Sequence, residues 1–580
     1  MVFAQAYQKA AAKKGENTDV PAPSQQIETH PEQVPMMYRA QVQGRCSLQY
    51  ANDDKDLERW TEEWVNPHKE TGQPIYQREE RPVGLDGTIY RFRLKFPWRV
   101  FTDCGQDSIL RPAIGKDGIP FIPGSSLKGI FRRLLYSQTI TEQEQEEVEL
   151  YCGSQEKTAL LRFHGAYPIG DWAGTEVVTS NQSSKSQHEI RYRMVDVVHP
   201  QQPRQVQGKG SAKAIALISF HEPTLLFELS STQPLVLETW QHIEDLFKRA
   251  LRQGLGGKTS TGYGLWVIPK NQYAFNLYLH GVGVSSLLRN GEPEFRPNLF
   301  KATLRGHASR LLAGVCNDPS IVKVKVDELF GSTKNPGKVE LYWELKALNL
   351  ATQGREKTPI SRVNGVLHLD APAQDLEFIK GLAAFAYAMG GFGKSWRRVW
   401  HKGPDAWHPG FLPTYTTRAI GCQWSGDVLD TPAGNIHDGQ SLQLFLQNLH
   451  SQCKSYLGIK DAKAIDWREA WHPRRLAVFT KKTSESEAIS LFHDDVFKTT
   501  PAVGGRTPDP KDTRLRFSSV WHRMLPLTKE NYLEIVTIFF GRYSDSNPWL
   551  RNGEDQLPFL FEALESSGFK KQWGSLPNHS

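Results

Sequence analysis

An α+β chain built from repeated units is what this sequence predicts, and three observations carry that expectation. First, Trp240, Ile243, Leu246, Phe247, Ala250 and Leu251 mark one apolar helix face. A glycine-rich loop follows (Leu251–Trp266, LRQGLGGKTSTGYGLW), and then YGLWVI, which reads as a strand ended by Pro269. Second, the same helix and loop recur downstream. Third, stretches of strand-like alternation, such as TIYRFRLKFPWRVF over 88–101, are interleaved with helical periods.

The loop invites chemistry. Glycine tolerates positive φ and close backbone approach, so successive amides around Gly254, Gly256 and Gly257 can point at one anion beside Lys258 and Thr259. GGKT is nevertheless not an NTPase phosphate loop. That motif needs glycine where Arg252 stands, with a strand before it and a helix after, and here the flanks are reversed.

Composition narrows the partners. A net charge of +7 and a pI near 8.9 suit a polyanion. The six cysteines, Cys46, Cys104, Cys152, Cys316, Cys422 and Cys453, include no CxxC pair, which fits a reducing compartment and excludes a zinc knuckle. No apolar run of membrane-spanning length and no signal-peptide core occur, so the expectation is a soluble, cytoplasmic protein without a membrane partner.

In chain order, residues 1–35 are polar and read as a disordered arm, and 36–50 as a strand. In IPFIPGSSLKGIFRRLLY, Pro123-Gly124 makes a turn and Ser125 or Ser126 caps a helix burying Leu127, Ile130 and Phe131. Lys128 and Arg132 share its other face with Arg133 beside them, and a helix start is a natural phosphate seat. Residues 171–215 form a long insertion with excess basic residues, Arg191 and Arg193 among them.

Landmarks then repeat. Lys128 and Arg132 correspond to Lys301 and Arg305, and Cys152-Gly153-Ser154 to Phe330-Gly331-Ser332. Gly254, Gly256, Gly257 and Lys258 correspond to Gly390, Gly391, Gly393 and Lys394. After the second loop Arg397 and Arg398 interleave with Trp396 and Trp400, cations with rings, as single-stranded nucleic-acid binding requires. A helix is expected at 442–457, a strand at 514–527 and a polar tail from 549 to 580.

IPFIPGSSLKGIFRRLLY followed by LFKRALRQGLGGKTSTGYG resembles the RAMP superfamily of CRISPR–Cas effector subunits. The resemblance implies two tandem ferredoxin-like (RRM-like) domains, 36–268 and 269–548, the second with a C-terminal elaboration. It also makes 171–215 the counterpart of the hairpin called the thumb. The pair is similar to a fusion of the two cap subunits of a Cmr-type, type III complex. Such a subunit serves antiviral defence in a ribonucleoprotein. It holds guide RNA backbone and target RNA at the guide's 3′ end, beside other RAMP subunits and a large polymerase-like subunit.

The implied RNA contacts are Lys128, Arg132, Arg133, Arg191, Arg193, Gly254, Gly256, Gly257, Lys258, Thr259 and Tyr263 in the first copy. In the second they are Lys301, Arg305, Gly391, Gly393, Lys394, Trp396, Arg397 and Arg398. Binding itself implies no cofactor. The alternative is a fused backbone subunit that cuts target RNA through Asp107, with Asp103 as second candidate, using Mg²⁺ or Mn²⁺. A histidine-based guide-processing nuclease is the weakest reading, because His164, His188, His199 and His221 show no paired arrangement.

Overall fold

The computed structural model describes residues 61, 64–65, 80–102, 111–115, 118–136, 140–180, 187–198, 206–207, 215–259, 263–266, 273–288, 292–332, 335, 337–353, 358–393, 423–504, 518–528, 530–541 and 547–575. The arm at 1–35, the strand expected at 36–50, Asp103, Asp107, Lys394, Trp396, Arg397, Arg398 and Trp400 lie outside them. Among the described residues no helix is long and apolar enough to cross a membrane.

The fold is mixed, with several antiparallel sheets. In the first sheet, β1 (Gly84–Asp86), β2 (Ile89–Lys95), β10 (Thr224–Ser231) and β5 (Leu161–Ile169) lie side by side in that order. Alternation in β2 sends Tyr90, Phe92 and Leu94 into the core and Arg91, Arg93 and Lys95 to the other face. Between β2 and β5 run a two-residue hairpin, β3 (Ala113–Ile114) with β4 (Pro120–Phe121), and two helices. These are α1 (Gly124–Arg132) and α2 (Glu142–Cys152). The insertion forms two more hairpins, β6 (Glu176–Ser180) with β7 (Gln187–Arg191) and β8 (Val195–Val198) with β9 (Ile215–Ile218). Helix α3 (Leu237–Ala250) buries the expected face, and its Phe247 stacks on Phe131 of α1 at 5.6 Å.

The strand expected after the glycine loop does not form within the described residues. Tyr263 and Gly264 make a turn, and the sheet place it would have filled holds β1 instead. The Gly264 carbonyl accepts from the Leu255 amide and its amide donates to the Arg99 carbonyl, so this residue is tied into the loop and not into a sheet ladder.

The second unit repeats the plan: β11 (Phe275–Val284), a hairpin of β12 (Ser286–Leu287) and β13 (Pro293–Glu294), α4 (Asn298–Ala313) and α5 (Pro319–Phe330). Then come β14 (Glu340–Gln353), β15 (Thr358–Asp370), α6 (Ala373–Met389) and β16 (Gln423–Asp427). The sheet runs β14-β15-β11-β16. Gly153 and Gly331 end their helices with φ of 71° and 84°, a conformation that favours glycine. After each, the serine amide bonds three residues on, Ser154 to Lys157 and Ser332 to Asn335.

A third sheet follows helix α7 (Gly439–Leu457): β17 (Leu476–Thr483), β18 (Val520–Pro526), β19 (Tyr532–Phe539) and β22 (Lys570–Gly574). Its order, β18-β19-β17-β22, is that of the second sheet: second, third, first, fourth. The tail expected at 549–580 is thereby corrected. Two-residue strands β20 (Leu550–Arg551) and β21 (Glu554–Asp555) pair there, and α8 (Leu557–Ser566) buries Leu557, Leu560, Phe561 and Leu564 before β22 closes the sheet.

Helix α6 explains how the second and third units join. From Gly381 to Met389 every residue is buried, because α6 is covered on more than one side. Phe385 meets Trp471 edge-on at 4.7 Å, and Arg523 of β18 lies 5.4 Å from the Tyr387 ring. Leu533, Ile535 and Phe539 of β19 belong to that shared core, whereas Val536 and Ile538 face α8. Burial of each such side chain contributes about 1.5–3 kcal/mol.

Candidate nucleic-acid interface

Helix α1 begins pressed against the sheet edge. Ile122 and Ala166 exchange two backbone hydrogen bonds of 2.8 and 3.0 Å, and a Cβ on Gly124 would fall 1.8 Å from the Phe163 carbonyl oxygen. Only glycine permits that approach. The helix is preceded by Pro123 with no side-chain cap, so Ser125 and Ser126 are exposed first-turn residues rather than the expected cap. With Leu127, Ile130 and Phe131 inward, Lys128 is left half-buried and Arg132 and Arg133 exposed. Both Lys128 and Arg132 act on the thiol of Cys152, which burial pushes up to about 11 against their pull.

The first glycine loop keeps its glycines for packing. A Cβ on Gly256 would sit 2.2 Å from the Phe101 carbonyl oxygen, and one on Gly264 1.9 Å from that of Leu255. The amides of Gly254, Leu255, Gly257 and Gly264 donate to carbonyls of Leu251, Gly264, Phe101 and Arg99. Of the amides expected to face an anion, those of Gly254 and Gly257 are thus spent inside the protein. Lys258, at φ 55°, holds its Nζ 5.8 Å from the Phe101 ring. The Thr259 side chain lies where a Gly254 Cβ would come within 2.6 Å. Tyr263 is buried with Phe101 and Leu217, so its ring serves the core.

Three other expected contacts are also committed. Arg191 donates to Glu292 at 2.6 Å, and Arg193 to the Pro293 carbonyl at 3.2 Å and to Glu176 at 3.3 Å. Both therefore fasten the insertion to the second unit. Arg305 bonds Asp327 and, at 2.6 Å, the Gly331 carbonyl, holding the end of α5. Lys301 is half-buried, and its ammonium is pushed down to about 8 by burial and by Arg305. In the second loop the Gly391 amide donates to the Ala386 carbonyl, and a Cβ there would strike Trp424 at 2.5 Å. Trp424 in turn donates from Nε1 to the Phe392 carbonyl at 2.6 Å. Gly393 lines a narrow cleft with Ser285, Arg296 and Trp424.

Sequence reasoning missed the joint between the first two units. Arg99 is buried, donates to Glu294 at 2.7 Å and to Ser219 Oγ at 3.1 Å, and its carbonyl receives Gly264. Arg296 takes the other Glu294 oxygen at 3.1 Å. Nearby, His221 is held down to about 3 by burial and by Arg99, Arg193 and Lys95, which keeps it neutral. The available signal was the pair of carboxylates before Pro297, but nothing local names their partners.

The first unit carries the family signal: the model of the RAMP superfamily matches residues 100–267. No curated protein matches the sequence. Among solved structures, the chain is similar to Cmr1 from Pyrococcus furiosus, at 14% identity and TM-score 0.34, over 52% of this chain and 99% of that one. It is similar to Cmr6 from Pyrococcus furiosus at 16% identity and TM-score 0.19, over 32% and 100%. A chain of the Type III-B Cmr-beta complex bound to cognate target RNA matches at 11% identity and TM-score 0.27, over 53% and 96%.

Proposed function

We propose that this chain is an RNA-binding structural subunit of a type III CRISPR effector complex, a fusion of RAMP modules with ferredoxin-like strand order. It holds guide RNA backbone and meets target RNA at the guide's 3′ end, alongside other subunits of the complex. The observation that carries the reading is the cationic face formed by half-buried Lys128 and exposed Arg132 of α1 with exposed Arg133 just beyond it, on the stretch that matches the family. Phosphate contacts suit a guide whose sequence varies, because base pairing does the reading.

The test is titration of the full chain with a labelled single-stranded RNA at 50 and 200 mM salt, wild type against Lys128→Glu with Arg132→Glu. Two lost phosphate contacts lower the salt slope by about 1.4 and weaken binding roughly tenfold at the lower salt. Equal affinity and equal slope would sink the proposal.

A further inference from the structure

Helix α1 does not simply end; it tightens into a 3₁₀ turn, Arg133–Tyr136. Leu134 anchors this turn in the core, and Tyr136 projects beyond it with 87% of its surface exposed. No other large apolar or aromatic side chain among the described residues is as open. In a 3₁₀ helix residues three apart eclipse one another, so Tyr136 stands over Arg133 at a rise of roughly 6 Å. Lys128 and Arg132 form the adjoining row, one α-turn apart. One α-turn before Arg133, Gly129 has no heavy atom within 4 Å of where a Cβ would sit, so the ridge is bare there. Among the described residues no carboxylate forms an ion pair with Lys128, Arg132 or Arg133.

Cations alone hold the backbone of any nucleic acid. An open ring beside them adds a π face, which only an unpaired base can reach. We propose that Tyr136 stacks on an unpaired base of the strand whose phosphates Lys128, Arg132 and Arg133 hold. The face then takes single-stranded RNA in preference to a duplex. The proposal rests on the RNA-binding reading above and names which part of the ligand it senses.

The full chain is titrated with two RNAs of equal length, an oligoadenylate and a strand carrying abasic sites, using wild type, Tyr136→Ala, Tyr136→Trp and Arg132→Glu. Expected is a roughly 5- to 100-fold loss for Tyr136→Ala on the oligoadenylate, with an unchanged salt slope and recovery in Tyr136→Trp. The abasic strand should bind wild type and Tyr136→Ala alike. If Tyr136→Ala leaves the ratio of the two RNAs at its wild-type value while Arg132→Glu weakens both, the stacking proposal is overturned and the phosphate reading survives. If neither substitution changes binding, both are overturned.

Discussion

Glu469→Gln is the substitution that most directly tests how the third unit is joined to the rest. Glu469 accepts from Arg310 Nε of α4 at 2.8 Å and from its neighbour Arg468, and all three side chains are fully buried. Its amide donates to Val206 of the insertion, while the Trp471 amide donates to the Arg310 carbonyl. The Arg310 guanidinium also lies 5.3 Å from the Trp521 ring of β18. Burial pulls Arg310 below its usual range, and the carboxylate opposes that pull. Removing one partner of a buried pair costs about 3–5 kcal/mol, since the remaining charge is left without compensation. At a urea slope of about 2 kcal/mol per molar, the unfolding midpoint should fall by roughly 2 M. Tryptophan fluorescence is the assay, because Trp471 and Trp521 stack at 5.5 Å beside this joint. Replacing all three charges, Arg310→Met and Arg468→Met with Glu469→Leu, should recover most of the loss, because well-packed apolar groups can substitute for a buried ion triad. A midpoint moved by less than about 0.3 M in Glu469→Gln, or a triple variant as unstable as the single, would refute the reasoning.

Three further outcomes are expected. Lys301 binds its proton less tightly folded, at about 8 against the ordinary 10.5, so the unfolded chain holds more protons between those values and stability contributed by this group rises with pH across that window. Lys301→Met should therefore be the more stable protein at pH 7 and lose that advantage by pH 10, as read by urea midpoints; an advantage that is constant with pH contradicts the assignment. Gly264, at φ 63° with the Leu255 carbonyl oxygen 1.9 Å from where a methyl would sit, should not tolerate Gly264→Ala, which is expected to cost at least about 2 kcal/mol. Gly129→Ala, exposed within α1 with open space around it, should stabilise by about 0.5–1 kcal/mol in the same melts.

Local chemistry made part of this fold legible. The buried faces of α1 and α3 follow from helical spacing, and the repeated Gly-Ser after α2 and α5 follows from the positive φ each helix end requires. Partners distant in sequence were not legible. Arg191, Arg193 and Arg305 look like any surface cation until the fold brings Glu292, Pro293 and Asp327 to them. The glycine loop misled for a related reason: glycine marks close approach without saying whether a ligand or a carbonyl approaches. The third sheet was hidden because β19 is buried along its whole length, which erases the two-residue alternation. Its closing helix was detectable, since Leu557, Leu560, Phe561 and Leu564 keep the helical period.

What distinguishes the three sheets is less their strand order than what lies against their outer faces. In the first, Arg162 and His164 of β5 and Lys95 of β2 are exposed on that side. In the second, Tyr278 of β11 is 53% exposed. In the third, the corresponding layer is closed, because Leu533, Ile535 and Phe539 enter the core that contains α6. A sheet face can meet a nucleic acid only where no other layer excludes it. The third unit has exchanged that option for roughly 1.5–3 kcal/mol per buried side chain against α6. Any contact it makes with RNA must therefore come from its rims, where Lys482, Lys570 and Lys571 are exposed, and not from the plane of its strands.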